Sequence, residues 1–165
     1  MEYGSNGKDR IGTRMQNSDY EEIKYNGRLL AIILRAIYTS AQTTFFSSPD
    51  FSQQLGYIVH KKNGVIKAHL HKEVHRKITL TQEVLFIKKG ELIINLYTPD
   101  KEYITSRELS SGDVVFLCSG GHGFEMLEDT EMIEVKQGPY SGKDNDKELF
   151  EGVESDTSQH AFARR

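Results

Sequence analysis

Cysteine occurs once in the chain, at Cys118. A single thiol excludes an internal disulfide framework and the multi-cysteine zinc patterns, and it suits a reducing cytoplasm. Long hydrophobic runs are also missing, the longest being Leu29 to Leu34, far short of the roughly 20 apolar residues that a membrane helix needs. Met1 to Arg14 is polar rather than signal-like. Neither export nor membrane insertion is therefore expected. Excess positive charge is lacking too. With 21 Lys+Arg against 24 Asp+Glu, a net charge of −3 and a pI near 6.1, the chain has no global attraction for a polyanion, which argues against nucleic acid as a main partner.

What is present suits one ordinary folded domain. The chain has 165 residues and is 37% hydrophobic, and 14 glycines bring the apolar share to the range usual for globular proteins. Two separate cores at this length would each be marginal. Residues 1–18 and 141–165 are rich in Ser, Asp, Lys, Glu and Gly, and read as tails, free or partly docked, around a domain spanning 19–140.

Between the tails, hairpin signals dominate. Asn26-Gly27 separates Tyr20 to Tyr25 from Arg28 to Ala36, and Asn63-Gly64 separates Leu55 to Lys62 from Val65 to His71. Both pairs suit type I′ turns. Further strand-like runs are Glu83 to Lys88, Glu91 to Tyr97, Glu102 to Leu109, Val114 to Cys118, Phe124 to Glu128 and Glu131 to Lys136. Leu30, Ile33, Leu34 and Ile37 would also line one face of a helix, but the three isoleucines and the preceding turn favour a buried strand. Short, evenly spaced strands without long helical patterns between them predict an all-β, antiparallel sandwich or barrel.

The residues that carry chemistry cluster in the middle of the chain, with five of the six histidines between positions 60 and 122. On a strand from Val65 to His71, alternation sends Val65, Lys67, His69 and His71 to one face. Two neutral imidazoles spaced in this way can share a metal ion, whereas a surface pair is the bland alternative. Glu83 opens the apolar run Val84 to Ile87, where a carboxylate must be solvated, paired or coordinated. His122 lies in the turn Gly120-Gly121-His122-Gly123. Three imidazoles and one carboxylate could thus converge from three segments.

Other candidates surround this set. Residues 60–90 carry eight cations against Glu73 and Glu83, a local excess of six, so an anionic small-molecule ligand is expected. Arg76 and Lys77 could clamp its phosphate or carboxylate. Tyr57 or Tyr97 could supply a hydroxyl for acid catalysis, although tyrosines in strands mostly pack. Cys118, four residues before His122, is either a redox-sensitive thiol or a small buried hydrophobe.

At these positions the chain resembles the cupin superfamily. Its first motif runs Gly, five residues, His-X-His, three or four residues, Glu, six residues, Gly. Glu83 followed by six residues and Gly90 matches the second half, while four residues separate Gly64 from His69 and eleven separate His71 from Glu83. The second motif resembles the stretch from Gly112 to His122, with Cys118 in place of proline, one residue fewer before His122, and Met126 in place of asparagine. The resemblance implies a jelly-roll barrel over 19–140. It also implies one divalent transition metal (zinc, iron, manganese or nickel) on His69, His71, Glu83 and His122, with His75 as rival to Glu83.

The stretch from Gln54 to Tyr140 resembles small cupins associated with nucleotide-sugar and surface-polysaccharide metabolism. That similarity implies a cytoplasmic, homodimeric enzyme with isomerase or epimerase chemistry. The alternatives are an iron-dependent dioxygenase, a ligand-binding or sensory cupin without turnover, and a metal-free epimerase using a histidine base and a tyrosine acid.

Overall fold

The computed structural model describes residues 14–15 and 19–155. Most of the expected N-terminal tail and residues 156–165 lie outside that range. The strands are β1 (Arg14–Met15), β2 (Tyr20–Tyr25), β3 (Arg28–Leu34), β4 (Thr44–Phe45), β5 (Gly56–Tyr57), β6 (Glu83–Lys89), β7 (Glu91–Tyr97), β8 (Tyr103–Ser110), β9 (Val114–Leu117), β10 (Gly121–Met126) and β11 (Glu131–Lys136). A short helix α1 (Lys143–Asp146) and a 3-10 turn (Val153–Ser155) follow. No helix is long and apolar enough to cross a membrane among the described residues.

The protein is all-β and every strand pairing is antiparallel. One sheet has six strands in the order β1-β2-β3-β9-β6-β11, a second has three in the order β10-β7-β8, and β4 pairs with β5. The sheets share no strand, so hydrogen bonding does not close them into a barrel among the described residues.

Alternation assigns the faces. From the large sheet, Ile33, Leu85, Ile87, Val115 and Leu117 point toward Leu92, Ile94 and Leu96 of β7 and Leu109 of β8, in one cluster with Phe124. The opposite face of the large sheet holds Ile32, Phe116 and Cys118, covered by Phe46, Phe51 and Leu55 from the segment around β4 and β5. Leu29 to Leu34 is therefore a strand buried on both sides, which explains its unbroken apolar run.

Turn chemistry accounts for one hairpin and fails at the other. Asn26 and Gly27 have φ of 48° and 77°, the two positive values that a type I′ turn requires, and β2 and β3 follow in register. At Asn63-Gly64 only Asn63 is positive, at 67°. The chain turns there through a Gly64 N–H to Lys61 carbonyl bond of 3.0 Å, but no strand follows. The expected strands Leu55 to Lys62 and Val65 to His71 reduce to Gly56–Tyr57, and residues 58–82 run outside the sheets. Alternation alone does not make a strand, because a strand needs a partner to take its backbone hydrogen bonds, and here Val65, Ile66 and Leu70 stay exposed.

The expected C-terminal tail is docked over its described part. Lys136 bonds Asp146 at 2.8 Å, Lys101 bonds Glu148 at 2.6 Å, and the Phe150 ring packs edge-on against Tyr97.

The core between the sheets is the main source of stability. Ile94 is fully buried at its centre, so Ile94→Ala is expected to cost about 2–5 kcal/mol in chemical denaturation. Exposed Ile66→Ala should be neutral within about 0.5 kcal/mol.

Candidate functional site

The core ends in a polar pair. Glu83 opens β6 on the inward face of the large sheet, opposite Leu117 of β9, and is only 5% exposed. His122 lies on β10 opposite Leu96, which turns it to the inward face of the small sheet beside Phe124. The two sheets thus bring an imidazole and a carboxylate together. His122 Nε2 lies 3.2 Å from Glu83 Oε2. His122 begins a strand here, whereas the sequence suggested a glycine-rich turn. The glycines around it support the strand's sharp entry, with Gly120 at φ 79° directly before β10.

The pair opens into a cleft of about 400 Å³. Its walls include Glu83, Leu117, Ser119, His122 and Phe124, and residues 146–150 form the outer side, bringing Asp146, Lys147, Glu148 and Phe150 to the cleft. The hydrogen bond with His122 holds the Glu83 carboxyl below its usual range of about 4.5; burial opposes this, and Lys147 and Lys136 assist it. Glu83 is therefore ionised at neutral pH and fixes His122 as a donor through Nε2, leaving Nδ1 as the basic nitrogen.

The four expected metal ligands fall into two pairs. Glu83 meets His122 in the cleft, whereas His69 and His71 lie in the exposed stretch 60–81 with ring centroids 5.3 Å apart, and neither lines the cleft. The two rings meet edge-on, in a segment that forms no strand. Among the described residues no group of three or more His, Cys, Asp or Glu side chains is arranged to hold an ion. As placed, the donors do not fit a metal. Of the rivals Glu83 and His75, only Glu83 reaches His122, since His75 sits in the same exposed segment as His69.

Arg76 and Lys77 are exposed and line no part of the cleft. Lys147 is the cation found there, and it comes from the segment expected to be a tail. Tyr57 packs edge-on against Tyr38 with centroids 5.2 Å apart and is not a cleft residue. Tyr97 is buried on the other face of β7, bonded to Glu154. Cys118 is buried with Ile32 and Phe116 on the far side of the large sheet, where burial pushes its thiol up to about 12. That environment makes it a packing residue. Comparison with protein-family models, curated proteins and solved structures finds no match to this chain.

Removing the imidazole should reveal its hold on the carboxylate. Because the folded-state value of Glu83 lies below 4.5, the pair adds stability that is complete above about pH 4.5 and is lost as pH falls through the lowered value. In His122→Ala the Glu83 carboxyl is expected to titrate at higher pH than in the parent, read from its side-chain carbon shift by NMR. An unchanged titration would show that the lysines, not His122, set its charge.

Proposed function

We propose that the chain is a cupin-like enzyme that isomerises or epimerises a small anionic molecule, a sugar or sugar nucleotide, in the cleft between its sheets. The observation that carries this reading is the His122–Glu83 pair at the end of an apolar core, facing a cleft whose wall carries Lys147 between Asp146, which is paired with Lys136, and Glu148, which is paired with Lys101. An imidazole oriented by a buried carboxylate can serve as a general base through its other ring nitrogen. It would take the proton from a carbon beside a carbonyl, with the electron pair moving onto the carbonyl oxygen, and return the proton to the other face or the neighbouring carbon. Lys147 would hold the phosphate or carboxylate of the ligand as a point charge. Two antiparallel sheets around one core and the spacing from Glu83 to Gly90 support the cupin-like reading. A jelly roll would need residues 58–82 to join the small sheet, where β10 is an edge strand.

A second reading is a metal centre in which that segment folds over the cleft and adds His69 and His71 to Glu83 and His122. The adjacency of the two exposed imidazoles favours it. Elemental analysis of protein purified without a histidine tag separates the two, with about one transition metal per chain, lost in a folded His69→Ala, His71→Ala variant, marking the metal centre. Homodimerisation in the cytoplasm completes the proposal, and its support is the exposed apolar strip of Phe86, Ile133 and Val135 on β6 and β11. A pocket-bound ligand without turnover would make the chain a sensor.

In deuterated water, a substrate found by screening sugar nucleotides and small carboxylates should gain deuterium at the reacting carbon. His122→Ala should slow this by about 10²–10⁴-fold. Lys147→Gln should weaken binding about tenfold, in a salt-dependent manner, with turnover of the bound substrate retained. Full exchange in His122→Ala would remove the pair from the chemistry.

A further inference from the structure

The face of the small sheet that points away from the core carries a second polar site. On β7, Asn95 and Tyr97 alternate with core residues Ile94 and Leu96, and register places Gly123 beside Asn95 and Gly121 beside Tyr97. Both polar side chains are deeply buried, at 1% and 2% exposure. The group they meet is the carboxylate of Glu154. Tyr97 donates its hydroxyl hydrogen to Glu154 Oε2, and Asn95 Nδ2 donates to the same oxygen at 3.3 Å. Asn95 Nδ2 also donates to Glu125 at 2.9 Å, its Oδ1 accepts from Ser106 at 2.5 Å, and the Val153 N–H donates to the Tyr97 oxygen at 2.9 Å.

The two glycines of β10 make room for this contact. A Cβ at Gly123 would strike the Glu154 carboxylate, and one at Gly121 would come within 3.0 Å of the Phe150 ring. The segment that reaches this cradle is the one whose earlier residues, Asp146 to Phe150, form the outer wall of the cleft. Little else holds it. Glu148, Leu149 and Glu151 are exposed, with Leu149 at 76%, so among the described residues the segment rests on Phe150, Glu154, the Val153 N–H bond to Tyr97 and the ion pairs at its start. A unit with so few buried apolar contacts belongs to the low-stability end of local opening.

We propose that residues 146–155 are a strap over the cleft, that Glu154 is its latch in the Tyr97–Asn95 cradle, and that undocking of this latch widens the way to His122, whose side chain is 28% exposed with the strap docked. The device rests on the cleft but on neither the metal nor the isomerase reading. It places the control of access on a side of the sheet where no substrate need bind.

The test uses the full chain with chelator present. In Glu154→Gln, amides of residues 147–155 are expected to exchange hydrogen at least tenfold faster, with those of β7 and β9 unchanged. Diethyl pyrocarbonate should then modify His122 at least threefold faster by peptide mapping, with exposed His69 and His71 as the internal reference. Tyr97→Phe should reproduce both effects, and Glu151→Gln should have neither. Unchanged exchange in the strap overturns the latch. Faster exchange without faster His122 modification overturns the gate. Faster exchange of β7 and β9 together with the strap in both variants also overturns the proposal, because the contact would then be part of the core. Neither readout uses a substrate or a metal, so a failed ligand screen leaves these outcomes intact.

Discussion

Burial of one face of each sheet against the other is the constraint on which the rest depends. It fixes which alternate residues of β6 and β10 point inward, and so it aims Glu83 and His122 at each other from different sheets. A slip of one residue in either strand would turn its member of the pair away. Leu85 and Ile87 hold one register, Phe124 the other, and the catalytic candidates are carried by the same packing that stabilises the domain. A buried carboxylate at this position is tolerable because the imidazole satisfies it, and the imidazole is oriented because the carboxylate is fixed.

The same parity explains the second polar layer. Since Leu92, Ile94 and Leu96 are committed to the core, Asn95 and Tyr97 must lie on the far side of a sheet with only three strands. That face would expose a buried-type polar network to solvent if nothing covered it. The C-terminal segment covers it with one ring and one carboxylate. Its path from Asp146 to Glu154 brings it past the cleft first, so the covering of one face and the walling of the other are parts of one connection.

Local signals in the sequence were enough wherever a strand's partner lies close by or its pattern is fully apolar. Asn26-Gly27, the alternation of β6 and β7, and the run in β3 all lead to the observed strands, because turn dihedrals and face patterning are local properties. Glu83 and His122 were legible as candidates from their spacing to glycines. The segment 58–82 was misread for a physical reason. Its alternation is real and its two imidazoles lie side by side, but pairing is a tertiary event, and nothing in Val65 to His71 encodes whether an edge is available.

The strap was illegible for the opposite reason. Residues 141–155 have the composition of a solvated tail, and their docking depends on what β10 lacks, namely side chains at Gly121 and Gly123. A glycine between strand residues signals close approach of another group, but it does not name that group. In this chain the approaching groups are Phe150 and Glu154, roughly 30 residues further on. Charge follows the same logic. Six of the eight cations of residues 60–90 lie in the segment 58–82, off the cleft wall, whereas Lys147, the cation on that wall among the described residues, arrives with the strap. A count of charges along the sequence therefore does not locate a site, and Lys147 bears on the His122–Glu83 pair through its place on the cleft wall, where its charge acts on Glu83 although Asp146 and Glu148 flank it.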